Sequence, residues 1–78
     1  MTISSLALRK AENILKKSQI PSWRLDAEIL LAEALNKDRT ELILRNDIEI
    51  SSKKNLRFNQ FINRRKKCEP VAYILNKK

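Results

Sequence analysis

Apolar residues recur along this chain at helical rather than strand spacing. Ile3, Ala7, Leu8, Ala11, Ile14 and Leu15 fall within roughly 140° of arc at about 100° per residue. Arg9, Glu12 and Lys16 face away from them. Thr2 or Ser4 is the expected N-cap, and the Gln19-Ile20-Pro21-Ser22 stretch ends this first helix, because a residue before proline resists the α region. Ser22 then offers a cap for a second helix, with Asp26 complementing the positive end of its dipole. Leu25, Ile29, Leu30, Leu31, Ala32, Ala34 and Leu35 make that helix apolar over most of its circumference, so it belongs at the centre of the domain. Only Asp26 and Glu33 mark a wet stripe, which reads more simply as a solvated face than as a carboxylate pair. Asn36 and Lys37 close the helix, asparagine standing in for the usual glycine.

Asp38 and Glu41 have the spacing of a capping box and open a short third helix through Leu42, Ile43 and Leu44. Asn46 and Asp47 break it. Ile48-Glu49-Ile50 alternates but is too short to count as a strand; it reads as an extended connector that tucks two isoleucines inward. Ser51 or Ser52 caps a fourth helix running to about Lys67, and Pro70 fits the first position of a last short turn from Val71 to Leu75. The expected fold is all-α, a small bundle of four to five short helices. The 78 residues form one domain, with no repeat, linker or internal boundary.

On the fourth helix Phe58, Phe61, Ile62 and the stem of Arg65 share the core side. Lys53, Arg57, Gln60, Arg64 and Lys67 form a continuous polar stripe about 80° wide, with Leu56 at its edge. Lys53 and Lys54 in the first turn oppose the helix dipole. The overall charge sharpens this picture. Residues 1–50 carry eight basic and eight acidic side chains, so the net +8 resides in residues 51–78, which hold nine basic side chains and the single Glu69. Such asymmetry points to an anionic partner or an acidic docking surface. A blander source is codon composition, since Lys, Asn and Ile number 10, 7 and 9 and A/T-rich codons would supply them. Codon drift explains the lysines better than it explains the arginines.

Composition removes several classes of chemistry. With no glycine and no histidine, the chain has no Rossmann fingerprint, phosphate loop or Ser-His-Asp triad. One cysteine leaves no disulfide and no Cys/His zinc site. Cys68 is the one candidate nucleophile, but no histidine exists to act as its base. Trp23, in the first turn of the second helix, is expected to cover the core edge near Ile20. No apolar run approaches the ~20 residues of a membrane span. No catalytic, cofactor-binding or metal-binding residue emerges, and the reading is a soluble cytoplasmic domain.

Four blocks together are more specific. Arg24-Leu25-Asp26-Ala27-Glu28-Ile29-Leu30-Leu31, Asp38-Arg39-Thr40-Glu41-Leu42, the doubled Arg64-Arg65, and Glu69-Pro70-Val71-Ala72-Tyr73-Ile74-Leu75 resemble the N-terminal helical domain of the HemK/PrmC family. The similarity runs from about Leu6 to the end of the chain. Members of that family are protein-glutamine N5-methyltransferases that modify the Gly-Gly-Gln glutamine of bacterial peptide chain release factors. The resemblance implies several short helices preceding a separate S-adenosylmethionine-binding catalytic domain that this sequence lacks, and hence an N-terminal domain cut from a longer protein. It supplies no cofactor and no catalytic residue for this segment. Its partners would be the release factor and the parent's own catalytic domain. Glu69, Pro70 and Tyr73 match the family pattern and are expected to fix a hinge towards that domain. Cys68 and Asn76 stand where the family commonly has glycine, and Trp23 where proline is common, so the exit from the fourth helix is expected to differ.

Three functions compete on these grounds. In the first, Lys53, Leu56, Arg57, Gln60, Arg64 and Lys67 dock the release factor. In the second, the same stripe makes a small basic helical nucleic-acid-binding module, which is disfavoured by the absence of a helix-turn-helix signal and of interleaved aromatics. In the third, the domain only packs against its catalytic partner.

Overall fold

The computed structural model describes residues 2–45 and 47–75. Helix α1 (Ser4–Lys17) is followed by α2 (Trp23–Leu35), α3 (Arg39–Leu44), α4 (Ser52–Lys66) and α5 (Val71–Leu75). Two short strands, β1 (Thr2–Ile3) and β2 (Glu49–Ile50), complete it. The expected all-α class therefore holds, with one small addition. Ile48-Glu49-Ile50 does more than connect: Thr2 pairs with Ile50 and Ile3 with Glu49 in an antiparallel ladder. Ser4 clasps the ladder's end. Its amide donates to the Ile48 carbonyl at 2.8 Å, and its Oγ accepts from the Ile48 amide at 3.2 Å. Ser4 is thus spent on a neighbouring segment rather than on capping α1, whose N-cap position is Ile3 with no side-chain cap bond. Ile48 and Ile50 are both buried, as their alternation implies.

Helix α2 is the central element. Ala27, Leu30 and Leu31 have no exposed surface, and α1, α3, α4 and α5 all pack on this helix. Leu15 of α1 and Phe58 and Ile62 of α4 fill the space around it. Burying one such side chain contributes roughly 1.5–3 kcal/mol, so this cluster carries a domain with little interior to spare. The greasy circumference of α2 is not uniform, because Leu25 remains 44% exposed. In α3 only Leu42 is buried; Ile43 and Leu44 face outward. That short helix ends at Leu44 with Arg45 extended, while Asn46, expected to help break it, lies outside the described residues, as does Asn76.

The chain closes its helix ends without glycine. The φ values of Gln19, Asn36 and Cys68 are 63°, 57° and 69°, so three helices exit through left-handed residues that carry a Cβ. After α1, the amide of Gln19 donates to the Lys16 carbonyl and that of Ile20 to the Leu15 carbonyl. This paired closure sits ahead of Pro21, so α1 is ended by a left-handed glutamine rather than by the proline. Ile20 then folds back, buried, beside Leu15. After α4 the same closure recurs: the Cys68 amide donates to the Arg65 carbonyl and the Glu69 amide to the Arg64 carbonyl. The chain leaves α4 by the glycine-type route despite the cysteine.

N-terminal caps divide by which partner competes for the side chain. Ser51 caps α4 as expected, its Oγ accepting from the Lys54 amide at 3.3 Å. Ser22 does not cap α2 in this way, because its Oγ donates to Asp26 Oδ2 at 2.8 Å. The Asp38–Glu41 capping box does not form: Asp38 holds the N-cap position without a side-chain bond, and Glu41 pairs with Lys37 at 3.3 Å. Pro70 immediately precedes α5, its carbonyl accepting from the Ile74 amide at 3.0 Å. No helix among the described residues is long and apolar enough to cross a membrane.

Candidate functional site

The stripe on α4 is solvent-facing, but it is not one uniform surface. Lys53, Leu56, Arg57 and Gln60 are exposed. They line a shallow groove together with Lys54 and with Ala34 and Asn36 at the end of α2. The Arg57 guanidinium lies 5.2 Å from the centre of the Phe61 ring, a contact that directs it without neutralising it. Among the described residues, Lys53, Lys54 and Arg57 meet no carboxylate. Leu56 is 60% exposed beside them, so the groove presents cations around one apolar side chain. Lys54 belongs to it by position, although the stripe spacing alone left it out.

Arg64 and Lys67, at the other end of the stripe, part company with this groove. Lys67 is exposed past the last turn of α4. Arg64 is bound up in the chain's own C-terminal segment: its Nη2 donates to Glu69 Oε1 at 3.1 Å, and its Nη1 reaches the Ile74 carbonyl at 3.4 Å. Its guanidinium also lies 5.7 Å from the centre of the Tyr73 ring. Hydrogen bonding to Glu69 pushes the Arg64 pKa further up, so this cation stays charged wherever the protein folds. Arg64 therefore braces α5, and its reversal would disturb the fold as well as the surface.

Arg65 turns the other way and enters the core edge. Its Nε donates to Asp26 Oδ2 at 2.7 Å, and its Nη1 donates to the Glu69 carbonyl at 2.9 Å. Asp26 is 5% exposed, which corrects its assignment to a wet stripe shared with Glu33. Burial of a carboxylate is tolerated when charge and hydrogen bonds both meet it. Here Ser22 and Arg65 supply those bonds. Periodicity could not have found this: Asp26 sits among apolar residues on α2, and its partner lies on α4. The one available signal was an acidic residue interrupting an otherwise apolar helix, opposite an arginine on the phenylalanine side of another.

Glu69, Pro70 and Tyr73 gather at this same place. Glu69 presents its carboxylate to Arg64 and its carbonyl to Arg65, Pro70 begins α5, and Tyr73 stays 67% exposed under the Arg64 guanidinium. Three of the four sequence blocks therefore converge in space, with the doubled arginine as the clasp between α2 and the α5 segment. Trp23 covers the core edge as expected, with Lys16 and Arg24 at 5.4 and 5.3 Å from its ring centre. Cys68 is exposed and has no assigned role.

S-adenosylmethionine does not fit the residues present. Neither strand-to-helix junction among the described residues, Ile3 to Ser4 or Ile50 to Ser52, carries the glycine that a nucleotide-binding turn needs for close backbone approach. The arrangement defines a small helical bundle whose last helix is clasped on by paired arginines, with a basic groove alongside. A family model described as the PrmC N-terminal domain matches residues 7–75. The release factor glutamine methyltransferase of Leptospira interrogans is 42% identical over 71 residues, 91% of this chain and 25% of that protein. That of Pseudomonas aeruginosa is 46% identical over 65 residues, 80% of this chain and 24% of its own. For Haemophilus influenzae the identity is 38% over 66 residues, 85% and 23% respectively. No solved structure matches the chain significantly. This chain belongs to the PrmC N-terminal domain family, and it spans about a quarter of the length of the curated relatives it matches.

Proposed function

We propose that this chain is the N-terminal domain of a protein-glutamine N5-methyltransferase acting on peptide chain release factors. In this reading it grips the release factor and orients a separate domain that binds S-adenosylmethionine. Residues 1–78 form a single unit in it. The observation that carries the reading is the match over nine-tenths of this chain to the release factor glutamine methyltransferases of Leptospira interrogans and Clostridium acetobutylicum. Support also comes from the division of labour on α4. Lys53, Leu56, Arg57 and Gln60 face outward and suit an acidic partner surface, while Arg64, Glu69, Pro70 and Tyr73 hold the α5 segment and suit a hinge. Lys67 stays exposed beyond Arg64 at the end of α4.

An amide-resolved NMR titration of the labelled chain with a bacterial release factor tests the proposal. Shifts concentrated on residues 53–60 are expected. A titration with duplex DNA in parallel separates the nucleic-acid alternative. Shifts with DNA alone, with log affinity falling by about 0.9 per neutralised phosphate against log salt, would replace release-factor docking. Silence with both partners would leave the domain a purely structural role beside its catalytic half.

A further inference from the structure

A second depression lies on the α1–α2–α3 face and shares no residue with the basic groove. It encloses about 300 Å³ between Leu8 of α1, Leu31 of α2, and Leu42 and Ile43 of α3. Leu31 is fully buried at its base, whereas Ile43 is 60% exposed, so among the described residues nothing covers that apolar side. Two carboxylates, Glu12 and Glu28, stand on its lining with the guanidinium-bearing Arg9, and the two acids are not equivalent. Glu28 Oε1 accepts from Arg39 Nε at 3.1 Å. Glu12 makes no hydrogen bond or ion pair among the described residues. Burial pushes the Glu12 carboxyl above its usual range and Glu28 adds to this, while Arg24 and Arg9 act in opposition without bonding to it.

We propose that this depression receives an arginine side chain of a partner protein, its aliphatic stem against Leu8, Leu31, Leu42 and Ile43 and its guanidinium on Glu12. The walls and the acid call for a group that is apolar along its length and cationic at its tip. Arginine suits this better than lysine, because its planar head matches a carboxylate and is more weakly hydrated. Arg39 already donates to Glu28, so among the described residues one of two adjacent carboxylates has a hydrogen-bonded guanidinium and the other has none. The inference is independent of the release-factor reading, because it concerns a different face and an opposite charge.

The test uses the 78-residue chain with n-butylguanidinium as the cationic probe and 1-pentanol as its neutral counterpart, both followed by NMR. Butylguanidinium is expected to bind on the order of millimolar, shifting Leu8, Glu12, Leu31 and Ile43. Glu12→Gln should weaken it at least about fivefold, and Ile43→Ser should weaken it through the apolar wall. Equal binding of 1-pentanol, or affinity unchanged by Glu12→Gln, would overturn the arginine assignment. So would shifts confined to the Asp38 and Glu41 region.

Discussion

Asp26 and Arg65, 39 residues apart in the chain, meet through a 2.7 Å hydrogen bond at the edge of the core. The contact joins the N-terminal half of α2 to the end of α4 just where the chain turns into α5. Arg65 holds Glu69 by its carbonyl in the same geometry. One side chain thereby ties the order of α5 to the packing of the main bundle.

Removing one partner of such a buried pair leaves the other uncompensated. Asp26→Ala is expected to destabilise the domain by about 3 kcal/mol, read as a lower urea midpoint with an unchanged slope. Ser22→Ala should cost less, on the order of 1 kcal/mol. A loss of a few tenths for Asp26→Ala would mean that the pair is effectively solvated.

Cys68 bears a conformation that glycine reaches without penalty. Its φ of 69° places a Cβ in the left-handed region, at a cost of about 1–2 kcal/mol. Glycine also loses more entropy on folding, so Cys68→Gly should stabilise the domain by a net ~0.5–1 kcal/mol. Thermal melts of the two chains in reductant check this. Cys68→Val, branched at Cβ, should shift the melt in the opposite direction.

The basic groove and the Arg64 strut should separate under mutation. Lys53→Glu with Arg57→Glu is expected to weaken release-factor binding about tenfold or more and leave the melting temperature nearly unchanged. Arg64→Ala should instead accelerate hydrogen exchange in α5, including at the Ile74 amide, with a smaller effect on exchange in α2. If both variants only weaken binding, Arg64 belongs to the docking surface after all.

Glu12 gives a pH signature. Its folded pKa lies above the ordinary value of 4.5, so the native state holds that proton more tightly than the unfolded chain. Ionised Glu12 therefore opposes folding at neutral pH, and the opposition fades as pH falls through the raised value and below 4.5. Glu12→Gln should raise the melting temperature near pH 7 and leave it unchanged near pH 3. A gain of equal size at both pH values would point to packing rather than charge.

The helices and their core faces were legible in the chain itself. Ala7, Ala11 and Leu15, then Leu30, Leu31 and Leu35 of α2, and Phe58, Phe61 and Ile62 are spaced so that only a helix brings each set to one side. All are buried. Asn36 was readable as a left-handed exit, because its short polar side chain tolerates that region. Local pattern failed where a side chain had more than one possible partner. Ser4, Ser22 and Asp38 all resemble caps in sequence, yet Ser4 bonds Ile48, Ser22 bonds Asp26, and Asp38 makes no cap bond. The competing partners of Ser4 and Asp26 come from distant segments, which sequence spacing cannot rank.

The amino-acid sequence by itself determined the helical class, the central position of α2, the location of the charge excess and the family resemblance. Each follows from periodicity, composition or motif, which are local properties. Tertiary structure alone decided that Asp26 is interior, that Arg64 and Arg65 point to different partners, and that the stripe divides into a groove and a strut. Those outcomes depend on the packing of α4 against α2 and on the left-handed turn at Cys68. Both place charged groups within hydrogen-bonding reach only after the chain has folded.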